Sequence, residues 1–370
     1  MTATKGLEGI VATTSSISSI VDGVLTYRGI DIDDLAEHAT FEEVIYLLWF
    51  GKLPTQSELD KLQKDLNAYS QVPAAVIEQL KLYPKNSNSM AALRTAVSSL
   101  ALYDDEANEM STEANVRKAI KLQAQIPAVI AAYARIREGK EPLASKGYSS
   151  IAANFLYQLT GNEPDKVAVE ALDKALVLHA DHELNASTFA SRVTVATLSD
   201  IYSGVTSAIG ALKGPLHGGA NEAVMAMLED IGSIDNVESY VNGALERKEK
   251  IMGFGHRVYK NGDPRAKHLQ KMSHELGKLT GNLKWYEMSI QIDDIVTSRK
   301  GLKPNVDFYS ASVYTTLEIP RDLFTPIFAI SRTSGWTAHI LEQYENNRLI
   351  RPRAEYTGPV NQKYVPINER

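Results

Sequence analysis

The chain has 370 residues and a mass of 40.7 kDa, roughly two to three times a common single-domain length, so one small domain is excluded and two structural units are expected. Thirty-nine Lys and Arg against 45 Asp and Glu give a net charge of −6 and a pI near 5.8, which argues against nucleic-acid binding through bulk charge. Apolar residues at 44% and charged residues at 23% argue against disorder, and the lack of cysteine removes disulfides, thiolate nucleophiles, iron–sulfur clusters and cysteine-ligated zinc.

The opening MTATKGLEGIVATTSS has no continuous apolar core behind a basic start, so no secretory signal is read there. The most apolar stretch, Ile126 to Ala134, is roughly half the ~20 residues of a membrane span and contains Pro127. A cytoplasmic protein without membrane attachment is expected. In ISSIVDGVLTYRG, β-branched residues flank Asp22-Gly23, a pair suited to a two-residue hairpin turn. Helix signals then dominate. Thr40 with Glu43 and Thr55 with Glu58 fit capping boxes, the first opening a helix through FEEVIYLLWF that stops at Gly51, the second a helix carrying Leu59, Leu62 and Leu66. Ala92, Leu93, Ala96, Val97 and Leu100 lie on one face of a helix within 90–103, and Pro127 is expected to kink or divide a helix over 115–138. Further helical runs are read over 166–180, 187–209, 219–231, 236–248, 264–279, 282–298 and 322–346. Strands and helices do not alternate as a parallel sheet requires, so the fold is expected to be mainly α. Glycines cluster at Gly214 to Gly219 and Gly253 to Gly255, and a further loop runs from Lys300 to Pro304. From these we expect a small helical unit over 218–313 inserted into a larger one made of 1–217 and 314–370.

Four of the eight histidines stand in segments unlike plain helix surface. His179 and His182, in LHADHE, share a helix face and could present two imidazoles to one ligand, or be purely structural. Zinc is disfavoured because the run is not H-E-x-x-H and no third ligand stands nearby. His217, in GPLHGGANEAV, sits on a glycine-rich turn before a helix N-terminus, which favours a neutral imidazole or a nearby anion; a neutral imidazole can donate to an oxygen that gains charge, or the histidine is a passenger on the turn. His256 precedes Arg257, Lys260, Arg265 and Lys267, a cationic cluster that costs repulsion unless anions lie among it, pointing to phosphate or carboxylate ligands. Asp307, in KPNVDFYS, lies among apolar and aromatic neighbours that would raise its pKa and strengthen it as a base, or it caps the next helix. Arg332 in FAISRTSGW and Arg351 in RLIRPRAEY suit a dicarboxylate, and a buried Arg332 needs an anionic partner.

Taken in order, LHADHELNAS, GPLHGGANE, GFGHRVYKNGDPRAK, PNVDFYSA and SRTSGWTAHILEQ resemble the citrate synthase family, over nearly the whole chain including TYRGIDIDDL, in its shorter bacterial and archaeal form. The resemblance implies an almost wholly α-helical homodimer whose small domain closes over the substrates, without a metal or a permanently bound cofactor. It implies condensation of acetyl-CoA with oxaloacetate to citrate and CoA in the tricarboxylic acid cycle. By motif, Asp307 would be the base toward the acetyl methyl group, His217 would hydrogen-bond the enol or enolate oxygen, and His256 would polarise and protonate the ketone. His182, Arg265 and Arg332 would hold oxaloacetate, with His179 in support. Arg351 would reach the neighbouring subunit's site, and Lys260, Lys300 and Lys303 are candidates for CoA. A 2-methylcitrate synthase using propionyl-CoA is the nearest alternative, because one methylene shifts preference by only about 1–3 kcal/mol. A catalytically silent sensor of CoA or organic acids, and a metal hydrolase built on His179 and His182, are more distant ones.

Overall fold

The computed structural model describes residues 5–7, 9–256, 258–259 and 261–370. Its small sheet is the expected hairpin, β1 (Ser18–Val21) and β2 (Val24–Tyr27), extended by β3 (Ile30–Asp31) on the free edge of β2. Asp22 (φ 53°) and Gly23 (φ 82°) both take the positive φ that a tight two-residue hairpin turn needs. α1 (Ile32–His38) follows at once, with the Asp31 carboxylate accepting from the Asp33 amide at 2.9 Å. α2 (Phe41–Phe50) and α3 (Gln56–Ala68) carry both expected capping boxes, Glu43 and Glu58 accepting from the Thr40 and Thr55 amides at 2.8 Å, and Gly51 ends α2.

α4 (Ala74–Lys81), α5 (Ser89–Leu100), α6 (Thr112–Arg137) and α7 (Ile151–Thr160) continue the larger helical mass. Pro127 does not divide its helix: α6 runs through it to Arg137. Pro127 is buried, and α6 packs against α16 (Phe324–Glu345), α7, α5 and α4, so apolar burial outweighs the loss of one backbone hydrogen bond. α8 (Lys166–His179) leads to α9 (Ala186–Val195) and α10 (Ile201–Leu212), where one helix over 187–209 is expected. The break has a local cause: Leu198 takes φ 64°, and Asp200 caps α10 by accepting from the Ser203 amide at 2.9 Å, so α10 turns back to pack on α9.

α11 (Ala220–Ile231), α12 (Ile234–Glu246), α13 (Ala266–Thr280), α14 (Lys284–Lys300) and α15 (Val306–Thr316) pack on one another, and α13 and α15 also meet α8. α15 continues past residue 313, the expected end of the smaller unit. α16 is the central helix, packed against α2, α6, α8, α9 and α10. Two of its buried threonines bond within the helix: Thr333 and Thr337 donate to the carbonyls four residues earlier at 2.7 Å. Burying a side chain such as Phe324 or Ile327 contributes about 1.5–3 kcal/mol. No described helix is long and apolar enough to cross a membrane.

Between α2, α7 and α8 two carboxyl groups meet away from solvent. Glu42 accepts from the Ile151 amide at 2.7 Å, and Asp173 from the Phe41 amide at 3.2 Å. Burial, with Glu43 adding to it, pushes Glu42 from 4.5 up to about 7. The folded chain therefore holds a proton that the unfolded chain has lost, and stability falls as pH rises from about 4.5 to about 7 and stays lower above. Glu42→Gln keeps the acceptor for the Ile151 amide and removes the ionisable carboxyl. Its melting temperature should exceed the parent's by about 2–4 °C at pH 8 and match it near pH 4.5. Thermal denaturation at both pH values is the check, and a variant that melts lower at pH 8 refutes the reading.

Candidate active site

α8 ends at His179, whose Nδ1–H donates to the Ala175 carbonyl at 2.7 Å while Nε2 has no partner among the described residues. Burial, with the Arg265 charge adding to it, pushes this imidazole down to about 3, so it is neutral. The loop that follows is held by the N-terminal hairpin. The Tyr27 hydroxyl accepts from the Asp181 amide at 3.2 Å and faces the Val177 and Asp181 carbonyls at 3.2 and 3.1 Å. Ser18 bonds the Asp181 carboxylate through its hydroxyl and accepts from the Glu183 amide at 2.9 Å, and the Ile20 amide donates to Glu183 Oε1 at 2.7 Å. From the other side, His339 Nε2 lies 3.2 Å from Asp181 Oδ2, and Arg192 donates to His339 Nδ1 at 3.0 Å. α16 approaches this loop at Gly335, where a Cβ would stand 2.4 Å from the Ala180 carbonyl oxygen, so only glycine fits.

This scaffold presents His182. Its ring lies 5.3 Å from that of His256 and 5.5 Å from that of Tyr259, whose hydroxyl is 3.1 Å from His182 Nε2. His256 arrives on the 253–255 loop, which is pinned to residues 303–305. Gly255 donates to the Lys303 carbonyl at 2.9 Å, Asn305 to the Gly253 carbonyl at 2.9 Å, and the Asn305 side chain to the Gly255 carbonyl at 3.0 Å. Gly253 (φ 81°) admits this turn because a Cβ there would meet Phe308 and Val224 at 2.8 Å. The Val258 and Tyr259 amides point at His256 Nδ1 from 3.1 and 3.3 Å. Amides only donate, so Nδ1 accepts and the neutral ring carries its proton on Nε2. Burial, then the Arg265 charge, lowers the pKa of His256 and holds that of His182 well below the usual value.

Arg265 is paired within the chain: Nε and Nη2 donate to Asp263 at 2.9 and 2.8 Å, Asp263 also accepts from the Val306 amide at 3.0 Å, and Nη1 has no hydrogen-bond partner among the described residues. Burial opposes the charge on Arg265, and Asp263 more than compensates, raising its pKa. Arg332 is unmatched by comparison. Nε donates to the His179 carbonyl at 2.8 Å, and the two Nη groups have no partner among the described residues. Burial brings it down to about 10, which still leaves a cation at neutral pH.

His217 follows α10. The Ser187 amide points at its Nε2 from 3.3 Å and the Ser187 hydroxyl lies at 2.8 Å, while Trp336 Nε1 fixes that hydroxyl at 3.0 Å. Nε2 is thus an acceptor and the proton sits on Nδ1. Burial pushes His217 down to about 4, with Arg332 adding to it, which keeps the ring neutral. Asp307 opens α15 behind its cap Asn305, whose side chain accepts from the Asp307 amide at 3.1 Å. The Asp307 carboxylate accepts no hydrogen bond among the described residues. Burial pushes it up to about 6; Arg265 opposes this, Asp263 adds to it and Arg332 opposes it. The field of Arg332 therefore reaches His182, His217 and Asp307, and that of Arg265 reaches His182, His256 and Asp307.

The family model for citrate synthase, C-terminal domain, matches residues 6–353. The chain belongs to the citrate synthase family. It is 66% identical to citrate synthase 2 of Bacillus subtilis across 100% of both chains, and 44% identical to 2-methylcitrate synthase 1 of Corynebacterium glutamicum across 99% of this chain and 98% of that one. A solved citrate synthase of Thermoplasma acidophilum, in ternary complex with carboxymethyl coenzyme A and oxaloacetate, superposes with a TM-score of 0.91 at 36% identity, covering 99% of this chain and 98% of that one. The mainly helical, citrate synthase-like fold with a small N-terminal hairpin is the fold found.

Against that family background, the expected residues fall into groups. His179, His182, His256, Arg265, Arg332 and Asp307 share one electrostatic neighbourhood, and Arg332 links His217 to it. Lys300 ends α14 and Lys303 follows it, both exposed, with the backbone of Lys303 tied to the His256 loop. Lys260, and Arg257 beside His256, lie outside the described residues. Lys267 does not serve the cationic cluster: it pairs with Asp33 at 2.5 Å. Arg351 is exposed in the tail after α16 and lines a separate cleft of about 730 Å³ with Arg192, Glu342 and Arg348. Among the described residues no group of three or more His, Asp or Glu is placed to hold a metal ion. Sequence reasoning missed Ser187, Tyr259, Asp181 and Tyr27, whose partners are distant in sequence. Asp263, two residues before Arg265, was the one local signal available.

Proposed function

We propose that the chain condenses acetyl-CoA with oxaloacetate and hydrolyses the resulting citryl-CoA to citrate and CoA. The observation that carries this reading is a carboxylate without a hydrogen-bond partner among the described residues, sharing the Arg265 and Arg332 field with two imidazoles whose acceptor nitrogens are fixed by backbone amides. Asp307 takes a proton from the acetyl methyl group, and His217 Nδ1–H stabilises the charge that appears on the thioester oxygen. The methyl carbon then attacks the ketone carbon of oxaloacetate, whose oxygen receives the proton of His256 Nε2. Water cleaves the thioester, releasing CoA. A thioester α-proton is weakly acidic, so base and donor act together; an oxyanion donor contributes about 2.7–4 kcal/mol and acid–base catalysis about 10²–10⁴-fold.

Arg332 turns its two unpartnered Nη groups to one carboxylate, and Arg265, His182 and the supporting His179 complete the oxaloacetate site. The unit over 218–313 brings His256, Arg265 and Asp307 to the loops carrying His182 and His217, and closure excludes water until condensation is complete. In a homodimer, Arg351 on its exposed tail extends to the partner's site. Lys300 and Lys303, beside the His256 loop, with Lys260, meet the phosphates of CoA. The test is thiol release with oxaloacetate and acetyl-CoA or propionyl-CoA side by side. Release only with propionyl-CoA assigns the 2-methylcitrate activity that the Corynebacterium relative favours; no release with either refutes both.

A further inference from the structure

α13 begins at Ala266, directly after Arg265, so the placement of its first turn sets where the Arg265 guanidinium stands. Asp263 fixes that side chain and, through the Val306 amide, ties it to α15, while α13 packs on α8 and α15; none of these contacts reaches the N-terminal hairpin and α1. The first turn of α13 makes one set of polar contacts across the chain. His268 Nε2 lies 2.6 Å from Asp33 Oδ1, and Lys267 Nζ lies 2.5 Å from Asp33 Oδ2, linking residues 235 and 234 positions apart. Asp33 stands in the first turn of α1, straight after the hairpin that holds the His182 loop. One carboxylate thus connects the element carrying Arg265 to the element bracing His182.

The two arms differ in weight. The side chain of Lys267 is 60% exposed, and an exposed ion pair contributes little. That of His268 is 8% exposed, against 35% for Asp33, so the imidazole end of the bond is shielded from water, and its loss leaves a buried polar nitrogen unpaired. Asp33 itself is held below the usual carboxylate range: burial works against it, and Lys267 and His268 outweigh burial.

Resting on the proposed condensation, we propose that the Asp33–His268 bond is a clasp that fixes the start of α13, and that Asp33 is a positioning residue which holds Arg265 where it meets oxaloacetate. Asp33 bonds to Lys267 and His268 and to none of the proposed catalytic side chains, so its effect is expected through Arg265, on oxaloacetate binding. In steady-state thiol-release assays, Asp33→Ala and His268→Leu should each raise KM for oxaloacetate about tenfold, with kcat and KM for acetyl-CoA changed less than about twofold. The double variant should be no worse than either single one, and Asp33→Glu should recover part of the loss. Lys267→Ala should stay within about twofold of the parent. Oxaloacetate affinity by calorimetry, alongside melting temperature, separates positioning from loss of folded enzyme. Parent-like oxaloacetate parameters in both single variants overturn the clasp, as does an equal change in every kinetic constant. A parent chain that releases no thiol overturns the functional reading and the clasp together, whereas active parent enzyme with unaltered variants overturns the clasp alone.

Discussion

Asp307→Asn will lower the rate of thiol release by about 10²–10⁴-fold while leaving oxaloacetate affinity within about threefold of the parent. The split follows from position. In the proposed reaction Asp307 acts on the acetyl methyl group, whereas the oxaloacetate carboxylates are assigned to Arg265, Arg332 and His182. Asparagine preserves the shape of the first turn of α15, since the cap of that helix is Asn305 and not Asp307 itself. The parent should also show an acid limb. With the carboxyl pushed up to about 6, the base is ionised above that pH and protonated below it, so kcat/KM for acetyl-CoA falls as pH drops through about 6. Calorimetric titration with oxaloacetate and a pH–rate profile are the measurements. Retained turnover in Asp307→Asn removes the aspartate from the base role, and an acid limb near pH 4 removes the raised carboxyl from the mechanism.

Arg332→Gln attacks the other substrate. The parent keeps a guanidinium buried in α16, over the Phe328 ring at 4.7 Å, with Nε donating to the His179 carbonyl and two Nη groups without a hydrogen-bond partner among the described residues. A cation so placed is costly until an anion arrives, so much of the carboxylate's binding energy is the relief of that cost. Removing one partner of a buried charge pair costs about 2–5 kcal/mol, so oxaloacetate affinity should fall by about thirtyfold to several thousandfold. The unliganded variant should melt no lower than the parent, because an unpaired buried charge has gone. Affinity within threefold of the parent would exclude Arg332 from the oxaloacetate site.

Local chemistry was legible in the sequence and distant partnership was not. The Thr40–Glu43 and Thr55–Glu58 boxes and the Asp22-Gly23 turn each close within a few residues, so their letters suffice. The break between α9 and α10 depends on Leu198 adopting positive φ, which a leucine does not advertise. Pro127 argues for a division that the packing of α6 against α4, α5, α7 and α16 overrides. In the site, His182, His217, His256, Arg265, Arg332 and Asp307 stood out by motif. Ser187 orients His217 from thirty residues away, and Tyr27 holds Asp181 across 154, distances at which no spacing rule operates. The cationic run after His256 read as an invitation to anions, yet Asp263 and Asp33 neutralise two of its members internally.

The hairpin's grip on the loop after α8 bears on how the enzyme is made. Ser18, Ile20 and Tyr27 emerge early from the ribosome and wait for Asp181 and Glu183, more than 150 positions later, and Arg332 comes later still. A nascent chain therefore carries no working centre until nearly all of it has been translated. Trimming the chain beyond Ser18 would remove its bonds to Asp181 and Glu183 with every proposed catalytic side chain still in place.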